Sequence, residues 1–324
     1  LGVYSPGTAY VLLHHAMGDV DGNVGSWGFA RGGMGSVAAA LSSSFQSLGG
    51  EIRTNSEVNQ IVVDGKTAKG VQLVSGEIIL ANAVVSNLDA KRTFLKLIDE
   101  KKLPSELSEK ARNFKIRGSS GKVNIALDGM PIFSALPKKS PLTLGHMHFS
   151  DTLERLERAY DDWKDDCWSA DPYVDMVIPT QYDPTMAPPG KHMMSVFVQY
   201  CPVSPEGGWD EHKKKEFGET VINQIAEYSP NFKDLILHAE IRTPYEIEKE
   251  VGLTEGNIFQ GELTLDQLMF NRPFPGYAQY RGPFKKMYMC SSSNHPGGGV
   301  MGAPGANAAR EILRDLKLQN TTPE

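Results

Sequence analysis

Three consecutive glycines, Gly297, Gly298 and Gly299, followed by Val300, Met301 and Gly302, are the residues of this sequence best placed to do chemistry. They follow a short apolar strand, Lys286 to Cys290, and the connecting Ser291 to Pro296, and they lead into a helix predicted from about Pro304 to Leu316. With no β-carbons in the way, backbone N–H groups can reach a flat or anionic ligand, and the helix adds the positive end of its dipole. A merely flexible loop is the competing reading, but ordering three glycines costs conformational entropy that a plain connection need not incur. Gly32, Gly33 and Gly35 open an earlier helix in the same manner; there, ligand approach competes with simple capping. Neither unit is a G-x-G-x-x-G fingerprint after an N-terminal strand, and none occurs elsewhere.

Other candidates are weaker. His295 abuts the glycine cluster and is the best polar side chain for a role beside a ligand, although a loop histidine bonded to backbone reads as well. His146 and His148 alternate on a strand-like segment and share a face, but no third and fourth ligand follow at a metal-binding spacing, so no metal site is expected. Asp161, Asp162, Asp165 and Asp166 surround Trp163 without a calcium-loop glycine and read as a solvated helix end. Phe197, Tyr200, Phe259 and Phe270 are candidates for an apolar tunnel, with core packing as the default. No Ser/His/Asp or Cys/His arrangement stands out.

These residues need elements to carry them. Val37, Ala38, Leu41, Phe45 and Leu48 recur at helical spacing after Gly35 and stop at Gly49-Gly50. Glu51-Ile52-Arg53 reads as a strand, followed by a meander over Val58 to Val63, Ala68 to Leu73 and Glu77 to Leu80, with turns at Asp64-Gly65 and Ser75-Gly76. Ala83 to Asn87 has the uniformly apolar look of a buried strand, and Asp89 to Leu97 restarts a helix. From about 118 to 280 the texture changes to alternating strands, such as Lys122 to Leu127 and Met193 to Gln199, with helices at Thr152 to Trp163 and Lys213 to Tyr228.

Taken together, Gly32 to Gly35, Val58 to Ile61, Ala83 to Asn87 and His295 to Gly302 stand in the order and spacing of the phytoene desaturase and carotenoid isomerase family of FAD proteins, which this chain resembles from about Gly2 to Leu316. His146 to Ser150, Asp183 to Gly190 and Gly256 to Phe259 narrow the resemblance to one branch. It implies that the backbone at Val58 holds the adenine, that Gly32 and Gly33 face the flavin region, and that Gly297, Gly298, Gly299, Val300, Met301 and Gly302 lie under the isoalloxazine. There the helix dipole would favour the charge that builds on the flavin as it accepts a hydride. Two departures stand out: Ser291 replaces the usual glycine after the strand, and the N-terminal ADP-binding strand and loop are absent.

The implied fold is α/β plus α+β: a Rossmann-like FAD-binding domain remnant lacking its N-terminal βαβ unit, with an inserted mixed-sheet substrate domain. Its expected parts are 1–30 as a helical cap segment, 31–92 as FAD-domain material, 93–284 as the substrate domain and 285–318 as the closing strand and helix. The implied function is FAD-dependent dehydrogenation or isomerisation of an apolar small molecule. The alternatives are a non-catalytic interaction protein on the same fold and a flavin amine oxidase. Composition agrees with a globular enzyme: 324 residues, 40% hydrophobic, net charge −6. The acidic balance argues against nucleic acid, and three scattered cysteines encode neither disulfides nor a dithiol centre. A reducing compartment fits, the cytoplasm of a prokaryote or the mitochondrial matrix of a eukaryote. No apolar run reaches the ~18 residues of a membrane span, which leaves peripheral membrane contact open. A start at Leu1 without methionine and a polar tail from Gln319 to Glu324 lead us to expect a C-terminal piece whose partner is the upstream part of its own chain. Such a piece is expected to bind FAD weakly and to be inactive alone.

Overall fold

The computed structural model describes every residue except 17, 138–139, 151 and 317–324. In chain order its elements are α1 (Ala9–Ala16), β1 (Asp19–Val20), β2 (Asn23–Val24), α2 (Gly35–Ser47), β3 (Val58–Asp64), β4 (Thr67–Leu73), β5 (Ile78–Leu80), β6 (Val84–Ser86), α3 (Ser105–Asn113), β7 (Ser120–Leu127), β8 (Met147–His148), α4 (Leu153–Lys164), β9 (Tyr173–Val177), β10 (His192–Gln199), α5 (Glu211–Tyr228), α6 (Phe232–Leu235), β11 (Ile236–Arg242), α7 (Pro244–Glu246), β12 (Met287–Met289) and α8 (Ala303–Asp315). They fall into two compact units, residues 1–52 with 118–251 and residues 53–117 with 252–324. These cut the chain elsewhere than at the boundaries 31, 93 and 285 read from the sequence, and residues 317–318 of the expected closing segment lie outside the described residues.

The first unit is built on an antiparallel sheet in the order β11-β7-β10-β9-β8. Strict alternation in β7 and β10 puts Val123, Ile125, Leu127, Met194, Val196 and Val198 on one face, where they pack with Phe217, Val221 and Ile225 of α5. Helix α4 starts where the Thr152 hydroxyl accepts from the Arg155 amide, and α5 where Asp210 accepts from the Lys213 amide. The other face carries a polar row across all five strands, Arg242, Lys122, Phe197, Asp175 and His148, each cross-strand from the next. A second row beside it holds Glu240, Asn124 and Ser195.

The second unit joins the antiparallel meander β3-β4-β5 to a two-stranded parallel pair, β12-β6. Its core gathers Ile61, Ala68, Val84, Phe94, Leu107, Phe114, Met287 and Met289. Two local expectations are corrected here. Ile52-Arg53 forms no strand, since no described segment offers it a ladder partner and Ile52 stays exposed. The turn region after β6 winds as a π-helix over Arg92–Lys96 rather than as a regular helix from Asp89 to Leu97. The Asp89 carboxylate there accepts from the Arg92 amide at 2.9 Å and from the Thr254 hydroxyl at 2.6 Å, which fixes the entry.

Candidate functional site

The glycine segment lies in the second unit, between β12 and α8. Gly297, Gly299 and Gly302 take φ values of +103°, +149° and +66°, so the path depends on glycine; Val300 also adopts φ +56°, a region that β-branched residues rarely enter. A β-carbon on Gly298 would stand 3.3 Å from both the Phe259 ring and the Ser292 hydroxyl. Gly299 to Gly302 are exposed immediately before the N-terminus of α8, while Gly297 is buried. The Ser291 hydroxyl turns back to accept from the Ser293 amide at 3.1 Å in a buried position.

Below this segment the structure is tightly cross-braced. The Ser293 hydroxyl donates to the Gln260 carbonyl and accepts from the Ala90 amide just beyond β6. The Tyr280 hydroxyl donates to the His295 carbonyl and accepts from Asn307 of α8, both at 2.8 Å. His295 is half-buried with no partner for Nδ1 among the described residues, and burial followed by the Arg272 guanidinium holds its imidazole below the ordinary histidine value. The Asn294 side-chain amide is buried, with neither Oδ1 nor Nδ2 hydrogen-bonded among the described residues.

Val58 sits in the same unit, on the wall of a groove of about 570 Å³ formed by β3, β6 and the turn that follows. Ile61, Val71, Val84 and Val85 line it with apolar surface, and Arg92, Lys96 and Glu57 add two cations and one carboxylate. The groove thus joins an apolar surface to charged groups of both signs, a combination that can seat a flat heterocycle.

Gly32 and Gly33 belong to the first unit. Their φ values of +80° and +82° explain the residue type, and both amides are engaged inside the unit: Gly32 donates to Asp183 at 2.6 Å and Gly33 to the Ala30 carbonyl at 3.0 Å. The Asp183 carboxyl is held below the usual range by the Thr185 hydroxyl and then by the Gly32 amide. At this turn the glycines serve the backbone path first.

The polar sheet face holds groups that spacing along the sequence did not pair. His146 Nδ1 lies 3.0 Å from Asp175, and that hydrogen bond raises the imidazole above its ordinary value. Around it stand Trp27, Phe29 and Tyr182, with Phe29 and Tyr182 stacked at 4.4 Å. Lys122, between Arg242 and Phe197, bonds to Ser195, and desolvation lowers its pKa. Of the four aromatics proposed from sequence, Phe197 lies on this face and Tyr200 packs with Trp163, whereas Phe259 and the exposed Phe270 belong to the other unit. No cluster of three or more metal-ligating side chains occurs among the described residues.

Because its folded-state pKa is raised, the His146–Asp175 pair contributes stability at low pH and loses it as pH rises through that value. Asp175→Asn is expected to lower the His146 pKa in a histidine-resolved NMR titration, and an unchanged value would show that the hydrogen bond does not set it.

A model of the family described as flavin containing amine oxidoreductase matches residues 4–313. The chain belongs to this family. The resemblance to carotenoid-modifying FAD proteins holds within it: the chain is 39% identical to pyridine nucleotide-disulfide oxidoreductase domain-containing protein 2 of Rattus norvegicus, over 97% of this chain and 56% of the relative. It is 25% identical to a lycopene-forming phytoene desaturase of Paracoccus, over 97% of this chain and 59% of that protein. The chain therefore spans little more than half the length of these relatives. Among solved structures, an oxidoreductase from Methanosarcina mazei matches with a TM-score of 0.54 at 17% identity, covering 88% of this chain and 55% of that one. A putrescine oxidase matches with a TM-score of 0.53 at 14% identity, covering 89% and 53%. These likenesses establish the flavin amine oxidoreductase fold, of mixed α and β content. No described helix is long and apolar enough to cross a membrane.

Proposed function

We propose that the complete protein is an FAD-dependent oxidoreductase and that this chain supplies the isoalloxazine-facing loop and the substrate sheet of its site. The observation that carries the reading is the Gly297–Gly302 path, whose left-handed backbone angles expose main chain directly ahead of the α8 N-terminus. Bound flavin would supply hydride acceptance. The chain's own part is to present bare main chain at the exposed Gly299, to add the helix dipole, and to offer the groove at Val58 to the adenine end. On this reading the second unit is the remnant of a Rossmann-like domain and the first is the inserted mixed-sheet substrate domain. The upstream part of the same chain completes the nucleotide site.

The polar row of the sheet, with Phe197 in its middle and Trp27, Phe29 and Tyr182 grouped about His146, supports an organic substrate with an apolar body and an ionisable end. The direct test is the visible absorption spectrum of the protein, expressed at the length of its relatives, as purified. Flavin bands at near-unit stoichiometry are expected. A colourless, folded protein that takes up no added FAD would shift the reading to a non-catalytic interaction protein.

A further inference from the structure

Arg272 is the largest fully buried side chain among the described residues, and its guanidinium donates to main-chain carbonyls around the glycine segment. Nε and Nη2 both donate to Ser292 O, at 3.0 and 2.8 Å; Nη2 also reaches Phe259 O at 2.8 Å and Gly261 O at 3.3 Å; and Nη1 reaches Glu262 O and Gln267 O at 3.2 and 3.3 Å. One side chain thus ties the 259–267 loop to the strand-to-helix loop. A β-carbon on Gly297 would lie 3.6 Å from its Nε, so the charge sits directly against that glycine.

A guanidinium is expensive to take out of water, and neutral donors can also bridge carbonyls. What the cation adds is potential. The cation is fully buried against Gly297 and so weakly screened, at one end of the same segment whose other end receives the positive end of the α8 dipole. We propose that Arg272 is a positioning residue that also sets a positive potential along Gly297–Gly302, which favours a ligand that is anionic or gains negative charge there. The proposal rests on the flavin reading for the identity of that ligand, although the potential itself is a property of this chain. His295, two residues from Gly297, is a built-in reporter of it, with Arg272 the charged group acting on the ring besides burial.

The test compares Arg272→Met, Arg272→Lys and Tyr280→Phe with the parent. Tyr280→Phe removes a loop hydrogen bond and leaves every charge in place at neutral pH. In NMR titrations the His295 pKa is expected to rise in Arg272→Met and to stay depressed in Arg272→Lys and Tyr280→Phe. With FAD bound to the relative-length protein, Arg272→Met is expected to shift the flavin midpoint potential to a more negative value, with recovery in Arg272→Lys. A His295 pKa that rises equally in Tyr280→Phe would reduce Arg272 to a brace, and so would one unmoved by Arg272→Met. If Arg272→Met does not fold, loss of the depressed value in folded Arg272→Lys overturns the proposal. A confirmed His295 pattern in a protein that binds no FAD would sink the flavin reading and leave the potential standing.

Discussion

Gly299→Val should eliminate flavin retention while leaving the secondary structure of the protein unchanged. At φ +149° a β-branched residue is strained whatever space surrounds it, and relief requires the main chain to move just where it approaches the ring. The position is exposed, outside both hydrophobic cores, so the cost falls on the loop and not on the fold. The measurement is flavin absorbance per protein after desalting, with circular dichroism as the control, in the relative-length protein. Flavin should drop from near one per chain to below about a tenth, a loss of roughly 1.4 kcal/mol or more of binding free energy for each tenfold change in affinity. Equal occupancy in variant and parent would remove this loop from the cofactor site.

The 324-residue chain on its own should bind FAD at least about a hundredfold more weakly than a form extended to the length of its relatives, a difference of roughly 2.7 kcal/mol. The groove at Val58 and the Gly297–Gly302 loop can offer surface to adenine and flavin, but the sequence holds no G-x-G-x-x-G turn of the type that cradles a dinucleotide pyrophosphate. The parallel pair β12-β6 makes the same point structurally: parallel strands are ordinarily covered on both faces, yet Val85 is 44% exposed. Parallel calorimetric titrations decide it, and stoichiometric, tight binding to the short chain would show that the residues assigned to the site are the wrong ones. Strand β6, paired on one side only by β12, also leaves an edge that invites self-association, which sedimentation of the two forms would report.

Much of the architecture was legible in local pattern. Alternation in Lys122 to Leu127 and Met193 to Gln199 specified strands with one buried face, and the strand-glycine-helix order near the C-terminus placed β12, the loop and α8. What stayed hidden depends on partners remote in sequence. The Gly32 amide finds Asp183 across 151 positions and His146 finds Asp175 across 29, so neither bond leaves a periodic signature. Arg272 stands in an irregular stretch between Asn271 and Pro273, where an arginine is ordinarily solvated; only the convergence of two loops buries it. Ile52-Arg53 had the composition of a strand, but a strand exists only with a neighbour to bond.

The two glycine-opened helices differ in one respect with thermodynamic weight. Helix α8 is anchored through Tyr280 and its buried Ala308, whereas α2, thirteen residues long, buries no side chain at all and leaves Leu41, Phe45 and Leu48 in water. A helix of that length is marginal by itself, since its nucleation is unfavourable and no apolar stripe is covered to offset it. Helix α8 is therefore held in place by its own unit, while α2 gains order only when another surface covers its apolar residues. Assembly around α2 will consequently show the negative heat-capacity change of newly covered apolar surface.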